Sequence, residues 1–91
     1  MPDVAVLLPP FSVDDAREAL ARLRIAPLFQ GVRGEAPLDA EALAQAAIAL
    51  GAIIASAEGR IASIDLNPVL VGARGAGIVA ADALIERAPS S

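Results

Sequence analysis

At 91 residues the chain amounts to one small domain, with 56% hydrophobic residues, 22 alanines and only two aromatics, Phe11 and Phe29. It has no Cys and no His, and all seven cations are Arg, which excludes a disulfide framework, thiolate chemistry, a histidine base and Schiff-base lysine chemistry. Eleven acids against seven arginines leave a net charge of −4, which with so few aromatics argues against a nucleic-acid surface.

The start, Met1-Pro2-Asp3, has neither the basic region nor the long apolar stretch of a signal peptide, so a cytoplasmic location is expected. Val4 to Leu8 reads as a strand stopped by Pro9-Pro10. Ser12 then caps a helix, with Asp15 three residues on as in a capping box. Val13, Ala16, Leu20 and Leu23 line its inner face. Gly31-Val32-Arg33-Gly34-Glu35-Ala36-Pro37 is a loop. Asp39 caps a second, longer helix with Glu41 in its first turn, and Gly59 terminates it. Its apolar run, Ala42 to Ala57, is broken by Gln45, Gly51 and Ser56. That run falls short of the about 20 strongly apolar residues a membrane span needs.

Arg60 to Val71 and Gly77 to Ile85 form a hairpin that reverses over Gly72 to Gly77. The expected fold class is α+β: a small β-α-α-β-β unit, an antiparallel sheet with two helices on one face. Alanine buries little area, so at roughly 25 cal/mol per Å² the core is marginal for this length. Such a chain leans on a partner, a larger remainder or self-association.

The polar residues inside the hairpin stand out. Asp65-Leu66-Asn67-Pro68 interrupts an apolar strand with poor strand formers. With the turn centred between Arg74 and Gly75, Val71 faces Ile78, Val69 faces Ala80, Asn67 faces Asp82 and Asp65 faces Leu84. Asp65, Asn67 and Asp82 would then make an oxygen-rich cluster suited to a hard divalent cation such as Mg²⁺. The other face, with Ile64, Leu66, Leu70, Val79, Ala81 and Ile85, would pack on the helices. The alternative is that Asp65 and Asn67 bond loop backbone while Asp82 caps a strand end. Arg33 between glycines could fork onto phosphate or carboxylate oxygens, or simply stack at its loop.

These residues resemble the C-terminal part of the ATP-grasp region in NDP-forming (ADP-forming) acyl-CoA synthetases, the acetate–CoA ligase family, related to the ATP-grasp subunit of succinyl-CoA synthetase. The resemblance runs through Leu8-Pro9-Pro10, Ala26-Pro27-Leu28, Gly31-Val32-Arg33-Gly34, Pro37, Asp39, Ile64 to Val71 and Ala81-Asp82-Ala83. It implies that Asn67 and Asp82 bind Mg²⁺ on the nucleotide phosphates and that Asp65 belongs to the same site. It implies a family reaction in which a carboxylic acid, CoA and a nucleoside triphosphate give acyl-CoA, NDP and phosphate, through an acyl phosphate and a phosphohistidine on another domain.

Two departures stand beside it. Leu7 occupies a position where the family often has arginine, and the nucleotide-binding lysine, phosphorylated histidine and CoA-binding domain are missing from this sequence. The expectation is a subdomain over 1–88 with a tail at 89–91, part of a larger synthetase and inactive alone. Its partners would be ATP or another NTP with Mg²⁺, and the CoA-binding and phosphohistidine domains. The alternative is a small α+β interaction or regulatory module without nucleotide chemistry.

Overall fold

Two short polar side chains open the two helices. In the computed structural model, which describes residues 3–32 and 34–89, Ser12 Oγ accepts from the Asp15 N–H at 3.0 Å. Asp15 Oδ2 accepts from the Ser12 N–H at 2.9 Å, closing the capping box that starts α1 (Val13–Ala21). Asp39 starts α2 (Ala40–Ser56) by accepting from the Ala42 N–H at 3.0 Å. α2 ends at Ala57, beyond which Glu58 and Gly59 turn left-handed at φ 54° and 81°. Between the helices a 3₁₀ turn covers Ala26–Gln30, an element the sequence reading leaves as undifferentiated chain. Pro27 fixes the backbone angle of its first turn, and Gly31, at φ 80°, ends it.

The helices pack through residues with almost no side chain. Ala16 and Ala44 are fully buried and Leu20 nearly so, with Leu7, Phe11, Leu23, Phe29, Leu43, Ala47 and Ile48 half-buried around them. Alanine at the contact lets the two backbones approach, and Phe11 closes one end of the layer. A Cβ on Gly51 would lie 2.9 Å from Phe11 Cε1, so the glycine is there to admit the ring.

The C-terminal half is antiparallel, as expected, but it forms two ribbons. β1 (Ile61–Leu66) pairs with β4 (Ala83–Arg87), and β2 (Val69–Val71) pairs with β3 (Ile78–Ala80). The register is the one inferred: Asp65 opposite Leu84, Val69 opposite Ala80, Val71 opposite Ile78. The ladder breaks at Asn67-Pro68 and Ala81-Asp82, where Pro68 has no N–H to give.

The break also changes which side faces inward. Ile64 and Leu66 are half-buried in β1, but in β2 the half-buried residues are Val69 and Val71, an odd number of positions along. The expectation that one continuous face would pack on the helices is therefore corrected. Ile64 and Leu66 do turn inward, while Leu70, Val79 and Ile85 are 61%, 63% and 56% exposed.

The strand expected over Val4 to Leu8 does not form. None of its backbone groups is hydrogen-bonded among the described residues, and Val4, Val6 and Leu8 are largely exposed. β-branched residues favour a strand only where a ladder partner is available, and among the described residues none pairs with this segment. The segment is still anchored: both Asp3 oxygens accept backbone N–H groups, from Arg24 at 2.8 Å and Ile25 at 3.1 Å.

Asp39 does more than cap α2. It is 7% exposed, and its Oδ2 accepts from the N–H groups of Gly75 at 3.0 Å and Gly77 at 2.9 Å, in the turn between β2 and β3. Its own N–H donates to Gly72 O at 2.8 Å, Leu38 bridges to Ala73, and the Arg74 N–H donates to Pro37 O. One carboxylate thus joins the start of α2 to the tip of the hairpin. The N–H groups of Ala42 and Gly77, then Gly75 and the Arg74 charge, hold its carboxyl below the ordinary carboxylate range against the opposing effect of burial.

A group with a depressed native pKa contributes stability that is complete above its unfolded value and lost as pH falls through the native one. The same holds for Asp15, held low by Ser12, and Glu41, held low by Gln45 and Arg17. Stability is therefore expected to fall below about pH 4. In Asp39→Asn an amide N–H₂ must face donors. Its melting temperature should drop by roughly 5 °C or more at pH 7, with a shallower acid dependence than the parent. Circular dichroism melts between pH 7 and 2 check this, and an unchanged melting temperature at pH 7 would contradict it. Gly51→Val drives methyls into the Phe11 ring and should cost about 1–3 kcal/mol in denaturant unfolding, a loss that Phe11→Ala in the same chain should partly relieve.

Candidate functional site

The four candidate residues do not converge equally. Asn67 and Asp82 meet at the break between the ribbons, where the Asn67 N–H donates to Asp82 O at 3.2 Å and the Ala81 N–H donates to Pro68 O at 2.9 Å. Asp65 stands two residues earlier on β1, opposite Leu84. All three are exposed. Arg33 lies outside the described residues, although its neighbours Gly31 and Gly34 adopt φ of 80° and 79°. At Gly31 a side chain would strike Glu35 O, 2.9 Å from an added Cβ, so the tight path of that loop requires glycine there.

Asp82 is the most constrained member. Its Oδ1 accepts the Ala83 N–H at 2.9 Å, which fixes the carboxylate at the entry to β4. Its Oδ2, the Asp65 carboxylate and the Asn67 amide oxygen have no protein donor among the described residues. The Asp82 interaction is the strand-end cap of the alternative reading, yet it leaves one oxygen for another use. The donor set is two carboxylates and a neutral amide, all oxygen, with no arginine salt-bridged to it among the described residues. That composition suits a hard cation that keeps waters and phosphate oxygens in its shell. Among the described residues no group of three or more acids, histidines or cysteines converges, so any such centre depends on Asn67 as well as the carboxylates.

A shallow groove elsewhere, between α1, the 3₁₀ turn and the start of α2, includes none of these residues. It is lined by Leu20, Leu23, Phe29, Arg24, Arg17 and Glu41, and its Arg17 is already committed to Glu41 at 3.1 Å. Asp39 is the residue whose importance the sequence reading understates, since its contacts in the hairpin turn lie 36 and 38 positions away. No helix among the described residues is long and apolar enough to cross a membrane.

Comparison with known proteins assigns the family. The ATP-grasp domain matches residues 1–86. Subunit beta of the ADP-forming acetate–CoA ligase II from Pyrococcus furiosus is 34% identical over 83 residues, covering 91% of this chain and 35% of the subunit. PH1788 from Pyrococcus horikoshii Ot3 superposes over 97% of this chain and 37% of its own, with a TM-score of 0.82 at 30% identity. The dinucleotide-forming acetyl-CoA synthetase 1 of Ca. Korarchaeum cryptofilum, solved in complex with coenzyme A, Ca-AMPCP and HgCl⁺, superposes over 93% of this chain and 36% of its own, with a TM-score of 0.72 at 34% identity. The chain spans about a third of the length of each. Since the match takes in both helices, both ribbons and the Asp-Leu-Asn-Pro seam between them, this chain belongs to the ATP-grasp domain family.

Proposed function

We propose that this chain supplies the cation-binding edge of the nucleotide site in an ADP-forming acyl-CoA synthetase, and acts only when joined to the remainder of that enzyme. Residues 1–88 would be the C-terminal subdomain of its ATP-grasp region, followed by a short tail, in a cytoplasmic protein. The overall reaction would convert a carboxylic acid, CoA and a nucleoside triphosphate into acyl-CoA, NDP and phosphate. The observation that carries this reading is the meeting of Asn67 and Asp82 at the seam between the ribbons, inside the stretch matched to ADP-forming ligases. The Korarchaeum relative, solved with coenzyme A and a nucleotide analogue accompanied by a divalent cation, supports the ligand classes.

In this reading Asn67 and Asp82 hold Mg²⁺ together with ATP, and Asp65 holds it directly or through water. Held by these residues, Mg²⁺ would supply positive charge against the nucleotide phosphates during phosphoryl transfer. The protein's part is orientation. Asp82 keeps Oδ2 available because Oδ1 is tied to Ala83, and Asn67 contributes a neutral oxygen that adds a ligand without adding negative charge. Arg33 would meet nucleotide phosphate from the Gly31–Gly34 loop. The phosphohistidine and the nucleotide-binding lysine would come from other segments, since this sequence contains neither His nor Lys, and CoA binding would fall to another domain.

The chain can be tested inside a working enzyme by substituting it for the 83 matched residues of the Pyrococcus furiosus subunit beta. The chimera is expected to form acyl-CoA with ATP and Mg²⁺. Asn67→Ala and Asp82→Ala should each lower the rate by about 100-fold, with a higher Mg²⁺ requirement. Full activity in both variants would sink the assignment.

A further inference from the structure

We infer that Asp39 is a positioning residue for the Asn67/Asp82 site, acting through the β2–β3 hairpin as a lever. The inference rests on the metal reading above and adds a residue to it that makes no contact with the proposed ligands.

The hairpin is short, with three residue pairs, and it is poorly clamped by packing. Leu70 and Val79, paired across it, are both more than 60% exposed. The principal contacts between elements are α1 with α2, α2 with β1, and each strand with its ladder partner, so neither β2 nor β3 rests extensively on a helix. What ties the hairpin to the helical layer is its turn, through the Asp39 carboxylate on Gly75 and Gly77 and the backbone bonds of Asp39, Leu38 and Pro37.

The far end of the hairpin is the seam. There the ladder is interrupted, the inward-facing parity changes, and Asn67 and Asp82 sit where β2 and β3 leave β1 and β4. A ribbon joined to its neighbour through a break can rotate about that break unless its tip is held, and here Asp39 holds the tip. Releasing the tip would let Asn67 and Asp82 swing relative to Asp65, which is held on β1 against α2. Oxygen ligands to a small hard cation tolerate little of this, because such an ion demands near-ideal octahedral geometry. The geometry of the tether also separates its two jobs: Oδ1 caps α2 and Oδ2 holds the turn.

Asp39→Ser uses that separation. A serine hydroxyl still caps α2 but cannot reach both Gly75 and Gly77 from its shorter side chain. The chimera with the Pyrococcus furiosus subunit, labelled with ¹⁵N and saturated with a non-hydrolysable ATP analogue, would be titrated with Mn²⁺ in place of Mg²⁺, reading paramagnetic broadening of the Asn67 and Asp82 amides well below the melting temperature. The parent chimera should show broadening there. Asp39→Ser and Asp39→Asn should each need about 5–10-fold more Mn²⁺ for half-broadening, below or at the lower end of the loss seen when outer-shell partners of metal ligands are removed. Ser12→Ala, which unseats α1 without touching the hairpin, should leave the midpoint unchanged. An unaltered midpoint in Asp39→Ser overturns the inference, as does an equal shift in Ser12→Ala. Absence of broadening at Asn67 and Asp82 in the parent overturns the metal reading and this one with it.

Discussion

One carboxylate holds the two halves of this molecule in relation to each other. The helical layer is built from residues 13–56 and the ribbons from residues 61–87, and β1 against α2 is the main packing between them. At the other end, the hydrogen bonds that join them among the described residues pass through Asp39 and its neighbours Pro37 and Leu38. A buried carboxylate would ordinarily be costly, but three backbone N–H groups accepted by two oxygens replace its lost water. The same bonds answer the unpaired donors at a helix start and in a glycine turn at once. The arrangement needs no large core, which suits a sequence with so little bulky apolar material.

That economy explains the layer as well. Among the described residues no large side chain is fully buried, and the central contact is alanine on alanine flanked by leucine. Such an interface brings helices close and gains dispersion contacts, but it removes modest apolar area per residue. Most of the exposed large apolar groups lie on β2, β3, β4 and the N-terminal segment, with Val32 in the loop before α2 and Ile53 on α2 as the others. In relatives about three times as long, additional polypeptide is available to such surfaces.

What the sequence reveals and what it conceals divide along the range of the interactions. Both helix starts are legible because a cap and its target lie three residues apart, as with Ser12 and Asp15 or Asp39 and Ala42. The register of Val69 on Ala80 is legible because a glycine-rich turn fixes it locally. Val4 to Leu8 misleads because its strand-forming composition says nothing about whether a partner strand is present. The change of parity at Asn67-Pro68 escapes strict alternation because a missing N–H interrupts the ladder there. At the site, the residue types and the backbone meeting of Asn67 with Asp82 follow from the sequence. The double use of Asp39 does not, since nothing local marks a carboxylate for donors in a distant turn.

The unladdered Val4–Leu8 segment has a colloidal consequence. It presents amide and carbonyl groups without hydrogen-bond partners among the described residues beside Val4, Val6 and Leu8, the combination that folded proteins shield at sheet edges with charge or proline. Here the adjacent Pro9-Pro10 guards one end, while the Asp3 side chain at the other is occupied with Arg24 and Ile25. Intermolecular repulsion therefore rests on the overall negative charge rather than on a local guard. Acid cancels that charge near the pI of about 4.5, whereas the depressed carboxyl of Asp39 is protonated only at lower pH, so on acidification this protein loses its mutual repulsion before it loses its tether.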